Sequence, residues 1–275
     1  MSEASYGPTI EDFAQMSFRE KITLTLILFK ANWKAMLGLI VSTTVFFVAL
    51  YLLVSPQIEV VMVDKTPQLQ VPDTRDLAFM LLWLFGFYFS TIGLLGYALH
   101  CLDSDDSTDA ITVFFRPWHR FWPAAPQLLI WLVISIMVKG VLMQISGSLP
   151  FFGFFIELIA NLVLFLLLEC VCLYIAGDRR ATLPEILSEP PKIVMAHLES
   201  WLTTGGLLLA LYLLTAFALV LSLSPLIKGG LPSMAMVLIV TAATFLLQGF
   251  RCFLSAVTYR QGRAAHMLKN REPGI

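Results

Sequence analysis

Charge is scarce in this sequence. Asp, Glu, Lys and Arg make up only 13% of the 275 residues, while 58% are hydrophobic. A soluble domain carries about 25% charged residues, so this composition excludes an ordinary water-soluble globule and implies a polytopic membrane protein. A net charge of −1 removes the general basicity that nucleic acid attracts, and no nucleic-acid partner is expected. Also missing are a glycine-rich phosphate loop, a nucleophile elbow and a His-Glu zinc pattern. Nothing names a nucleophile or a base. No catalytic residue, no cofactor and no metal is assigned, and the balance leans away from an enzyme.

The opening segment lacks the order of a removable signal peptide, because Glu11, Asp12, Arg19, Glu20 and Lys21 interrupt it. The first span is expected to act as its own insertion signal. Cysteine is limited to Cys101, Cys170, Cys172 and Cys252, all near the same ends of their spans. Disulfides are not expected on a reducing side of a membrane. Cys170 and Cys172 are two apart on a helix and point to different faces, so they read as small packing residues.

Long apolar runs are what the sequence does have. A membrane helix needs about 20 mostly apolar residues, and six stretches qualify: about 35–54, 77–101, 126–146, 151–176, 202–224 and 232–258. The expected fold is all-α, a single membrane domain over 1–275 with six transmembrane helices paired as three hairpins. "GSLP" is too short for anything but a turn between the third and fourth spans, and "PLIKGGLP" does the same for the fifth and sixth. The 55–76 link holds three prolines and one extended piece at "IEVVMV".

Orientation follows from Lys and Arg. Lys65, Arg75 and Lys228 fall on one side; Lys139 and Arg251 lie inside spans; the remaining 13 of the 18 fall on the side of the termini. A bacterial inner membrane with both termini cytoplasmic is the location expected.

The segment before each hairpin repeats one design. In the first, about 11–34, Phe18, Ile22, Leu26, Phe29 and Trp33 make an apolar stripe, with Arg19, Thr23, Lys30 and Lys34 opposite. In the second, about 108–122, Ile111, Phe114, Phe115, Trp118, Phe121 and Trp122 face away from Asp109, Thr112, Arg116, His119 and Arg120. The third, about 182–200, opens on a Thr182–Glu185 capping box, and Pro190 and Pro191 are expected to break it. Each reads as an in-plane amphipathic helix with a Trp near the point of entry into the bilayer. The chain is therefore three copies of one unit.

This layout resembles the YciC-like group of six-span bacterial inner-membrane proteins and related families. The matching features are "LFKANWKAMLGLI", "SGSLPFFG", "GDRRATLPEIL" and "FRCF". The resemblance implies a fold and a location, and no activity. The Pro-Pro pair departs from it.

Ionisable groups inside a bilayer are functional candidates. Folding the third and fourth spans about residue 148 places Lys139 level with Glu157, and Ser135 level with Asn161. Gln144 sits about one turn farther out. Glu169 and Arg251 share a depth nearer the termini, with His100 and Gln248 in the same layer. Two buried ion pairs are expected, Lys139–Glu157 and Glu169–Arg251. They are either structural or part of a transport path. "DSDDSTD" at 103–109 lacks the glycine and closing glutamate of a calcium loop and reads as a turn with a helix cap at Asp109. Arg116, His119 and Arg120 are candidates for lipid head-group contact.

Three functions stay open. The first is a non-enzymatic assembly, regulatory or envelope-maintenance role through protein or lipid contacts. The second is a transporter of a small solute, ion or lipid. The third is an enzyme acting on lipid head groups. Membrane lipids are the expected partners, with a protein partner or a homo-oligomer possible in the membrane.

Overall fold

The computed structural model describes residues 9–54, 60–63, 66–69, 74–103, 109–148, 153–177, 182–227 and 234–271. The helices are α1 (Ile10–Gln15), α2 (Phe18–Val54), α3 (Thr74–Asp103), α4 (Ala110–Phe115), α5 (Trp118–Ser148), α6 (Gly153–Gly177), α7 (Leu183–Ala196), α8 (Leu198–Ile227) and α9 (Met234–Arg271). Six of them are long and apolar enough to cross a membrane. The chain is a multi-pass integral membrane protein. Between α2 and α3 two short strands, β1 (Val60–Val63) and β2 (Thr66–Leu69), pair antiparallel with Val60 opposite Leu69. The extended piece expected at 58–63 is the first of them.

The element order repeats three times: a short helix, then two long ones. Capping chemistry starts each unit. Thr9 and Asp12 cap α1 reciprocally, Asp12 N donating to Thr9 Oγ1 at 3.2 Å and Thr9 N to Asp12 Oδ2 at 2.8 Å. Thr112 N donates to Asp109 Oδ2 at 3.2 Å at the start of α4. Thr182 N donates to Glu185 Oε2 at 2.8 Å at the start of α7. Each such bond satisfies a backbone donor that the helix end or its entry would otherwise leave unpaired.

The three units close into a ring. The second long helices, α3, α6 and α9, touch one another. Each first long helix packs on its own partner and on the second helix of the preceding unit: α5 on α6 and α3, α8 on α9 and α6, and α2 on α3 and α9. The short helices follow the same rule, α4 packing on α3, α7 on α6 and α1 on α9. Burial follows this layout. In the most apolar stretch of α3, α6 and α9, 44% of residues are buried, against 22%, 22% and 17% in α2, α5 and α8. An inner triad therefore carries the core, and an outer triad shows its side chains to lipid. Small residues permit the closest approaches. A Cβ on Gly93 would meet the Phe114 ring at 2.7 Å, and one on Gly86 would meet Phe47 at 2.9 Å.

Three boundaries differ from the sequence expectation. Helix α2 runs unbroken from Phe18 to Val54, so no break separates the 11–34 segment from the first span. Between these limits there is no proline, and the single glycine, Gly38, does not interrupt the helix. At 37 and 38 residues, α2 and α9 are each about 55 Å long and exceed a hydrocarbon core of about 30 Å. The 108–122 segment divides, because α4 stops at Phe115 and residues from Trp118 already belong to the span helix α5.

The third segment does not break at its prolines: α7 continues through Pro190 and Pro191. Proline at 190 offers no N–H to the carbonyl four residues earlier. That carbonyl, of Ile186, instead accepts from Trp131 Nε1 of α5 at 3.4 Å. Beyond α7 the chain turns at His197, and α8 begins at Leu198.

Candidate functional site

The buried polar residues gather along one helix. On α9, Arg251, Ser255, Thr258 and Gln261 are all buried, and Gln248 is half-buried. Their spacing keeps them on one broad face of the helix. Two clusters form along this seam.

In the first cluster, Arg251 Nε donates to Glu169 Oε1 of α6 at 2.8 Å. Arg251 Nη1 donates to Gln248 Oε1 at 3.0 Å, and Tyr212 Oη of α8 donates to the same oxygen at 2.8 Å. The guanidinium lies 5.1 Å from the centre of the Phe165 ring, a cation–π distance. Glu169 and Arg251 are 3% and 8% exposed, so the pair is removed from both water and lipid. It ties α6, α8 and α9 together. Cys170, Cys172 and Cys252 stand beside it in the chain, buried and free. Cys170 donates its thiol proton to the Pro190 carbonyl at 3.6 Å.

The second cluster centres on Lys21, in the first turn of α2 and 1% exposed. Its Nζ donates to Ser200 Oγ at 2.7 Å, Thr204 Oγ1 at 2.8 Å and the Ser200 carbonyl at 3.1 Å. Ser200 Oγ donates to Gln261 Oε1 at 2.6 Å, and Gln261 Nε2 donates to the Met16 carbonyl at 2.6 Å. Thr204 Oγ1 lies 2.9 Å from Thr258 Oγ1, which donates to the Leu254 carbonyl at 2.8 Å. The Phe18 ring completes the enclosure, its centre 5.4 Å from Nζ. This network joins α2, α8, α9 and the turn after α1.

The outer pair expected from the hairpin register is not formed. Lys139 is exposed on α5, and among the described residues no salt bridge joins it to Glu157, which is half-buried on α6. Equal depth in a hairpin does not fix lateral packing. The buried stripe of α5 runs Ala124, Leu128, Trp131, Ser135; beyond it, Ile136, Met137, Val138 and Val141 are all exposed. Lys139 lies in this exposed stretch. Ser135 is buried but donates to its own helix, at the Trp131 carbonyl, 2.8 Å away. Asn161 and Gln144 are exposed, so neither belongs to a buried layer. His100 is half-buried in the last turn of α3. Arg116 is exposed. The side chains of His119 and Arg120, and residues 104–108 of the acidic turn, lie outside the described residues.

The Lys21 cluster escaped the sequence reading because Lys21 and Thr25 belong to neither of the two stripes read on this segment. Phe18, Leu26 and Trp33 of the apolar stripe are exposed, while Lys21 and Thr25 are buried. Arg19, Thr23, Lys30 and Lys34 of the polar stripe are exposed as well, so the buried polar residues lie beside the apolar stripe and not opposite it. A signal was present: Lys21 with Thr25, Ser200 with Thr204, and Thr258 with Gln261 are each three or four apart, on one helix face.

A third group lies farther along α9, past Arg251 and Thr258. Glu189 of α7 accepts from Lys192 Nζ at 2.7 Å and lies 3.2 Å from His266 Nε2 of α9. The hydrogen bond from Lys192, aided by the charges of Lys192 and His266, holds the Glu189 carboxyl below its ordinary range. His266 is half-buried on α9. Asp103 of α3 and Arg260 of α9 form a further ion pair. Among the described residues no group of three His, Cys, Asp or Glu side chains could hold a metal ion.

Comparison with protein-family models, with curated proteins and with solved structures finds no match to this chain. Its chemistry is therefore read from its own residues.

Proposed function

We propose that this integral membrane protein is non-enzymatic and acts through protein or lipid contacts, in assembly, regulation or envelope maintenance. One observation carries the reading. The buried ion pair Arg251–Glu169 is spent on joining helices, with Gln248 and Tyr212 bound to it from α9 and α8. Opposite charges in contact neutralise each other and specify which helix meets which. The outer triad adds broad apolar faces, with Val45, Phe46, Leu213, Leu214 and Phe217 all exposed. Such faces suit lipid chains or a partner's helices.

The location belongs to the same proposal. The crowding of Lys and Arg on the side of the termini supports a bacterial inner membrane with both termini cytoplasmic. Helices α1, α4 and α7 would lie along that surface, in keeping with the YciC-like layout.

A second reading, transport, rests on a different observation. Glu169 Oε2 and Ser255 Oγ are buried with no hydrogen-bond partner among the described residues, which leaves polar capacity along the seam. Reconstitution into liposomes separates the two. Under imposed proton, sodium and potassium gradients, the purified protein is expected to give no flux above protein-free vesicles. Native mass spectrometry from nanodiscs is expected to retain phospholipid or a second copy. A gradient-driven flux that Glu169→Gln abolishes would overturn the first reading and establish transport.

A further inference from the structure

We infer that Lys21 is a tethered cation filling a site of neutral oxygens built to hold a monovalent cation. This is separate from the Glu169–Arg251 pair and does not depend on its role. An ammonium has three donors and no acceptor, and here each donor is used: Ser200 Oγ at 2.7 Å, Thr204 Oγ1 at 2.8 Å and the Ser200 carbonyl at 3.1 Å. None of the three acceptors carries a charge. Burying a cation is costly unless it is paired or well coordinated, and here neutral coordination supplies the compensation, with the Phe18 ring 5.4 Å from Nζ.

The surrounding bonds fix the polarity of the cage. Gln261 Nε2 donates to the Met16 carbonyl at 2.6 Å, so its Oε1 is turned to accept. Ser200 Oγ places its single proton on that oxygen, at 2.6 Å. Thr258 places its proton on the Leu254 carbonyl at 2.8 Å, so in the 2.9 Å contact with Thr204 it can only accept. Thr204 therefore gives its proton to Thr258. Both hydroxyl protons of the cage are committed away from Nζ, and only lone pairs face it. Carbonyl and hydroxyl oxygens with lone pairs converging on one point are the ligands that hard monovalent cations take in place of their hydration shell. Potassium, sodium and a small primary ammonium are the species of that class. In this protein the charge arrives on the α2 side chain instead, so that cation binding and the docking of α2 on α8 and α9 are one event.

The test uses the full chain in mild detergent. Thermal melting is followed with a dye that reacts with the buried thiols of Cys170, Cys172 and Cys252. Potassium, sodium or methylammonium chloride is titrated against choline chloride at constant ionic strength. Lys21→Ala is expected to melt about 5–10 °C below the wild type in choline and to regain at least half of the loss, saturably, with methylammonium or potassium. The wild type is expected not to respond. Lys21→Met, which fills the space without charge, is expected to melt low and stay low. The proposal is overturned if no cation outperforms choline on Lys21→Ala. It is also overturned if Lys21→Met melts with the wild type. Should Lys21→Ala yield no folded protein, Thr204→Val with Lys21 kept gives the answer: a fall of several degrees supports the cage, and an unchanged melt overturns it.

Discussion

The indole of Trp131 donates to the carbonyl of Ile186, the acceptor that Pro190 leaves without a partner four residues on. A side chain of α5 thereby completes the backbone of α7. The bond is long, at 3.4 Å, but the carbonyl is buried and the alternative is an unmade hydrogen bond. Trp131→Phe is expected to cost about 1–3 kcal/mol, read as a lower melting temperature. In a Pro190→Ala background the new N–H serves Ile186, so the same tryptophan change should cost much less. Equal costs in the two backgrounds would remove the indole from this role.

Breaking the Glu169–Arg251 pair should hurt more than deleting it. Arg251→Met leaves a carboxylate buried at 3% exposure and is expected to cost about 3–5 kcal/mol. Arg251→Met with Glu169→Leu should recover most of that. A double variant as unstable as the single would show that the charges do more than hold helices.

Lys139 offers the contrasting case. Its side chain is exposed on α5 with no packed neighbour to lose, so Lys139→Met is expected to change stability by less than about 0.5 kcal/mol. Its melting temperature should stay with that of the wild type. A fall as large as that of Arg251→Met would restore the outer pair.

Acid should loosen the grip of α7 on α9. The carboxyl of Glu189 is held below its ordinary value of 4.5 by Lys192 and His266. A depressed carboxylate contributes stability that is present above 4.5 and lost as pH falls through the folded value. Melting temperature should therefore drop on acidification from about pH 5 to pH 3, and Glu189→Gln should flatten that drop. The effect is small, because the group is partly solvated. Identical acid profiles for variant and wild type would place the loss elsewhere.

Much of the architecture was legible in the sequence because lipid imposes a simple rule, a run of about 20 apolar residues per crossing. The six spans follow from that rule, and the starts of α4 and α7 from the capping residues Asp109 and Thr182, whereas the separation of α1 from α2 was not foreseen. Glu169 and Arg251 were legible as a pair because each sits at a similar distance along the second span of its hairpin. What escaped depended on contacts between distant segments. Nothing near Pro190 in the sequence announces Trp131, so the predicted break in α7 was a reasonable local inference with a tertiary answer. Lys139 failed for the converse reason: register gave its depth, but only packing could say that its side of α5 is left uncovered. Lys21 was hidden because basic residues near a span normally face water, and its acceptors, Ser200 and Thr204, lie about 180 residues further along the chain.

The docking of α1 on α9 has a consequence for how the protein is made. Of the described helices, α1 is translated first and α9 last, yet the two share a face. A growing chain can insert its early spans while Thr258 and Gln261 are still inside the ribosome. Through that interval the lysine cage lacks its orienting bonds, and α1 has nothing to cover it. Completion of α9 is therefore the step that seals the assembly. A product truncated before Thr258 would insert its spans yet carry an open N-terminal edge, a visible mark of unfinished synthesis.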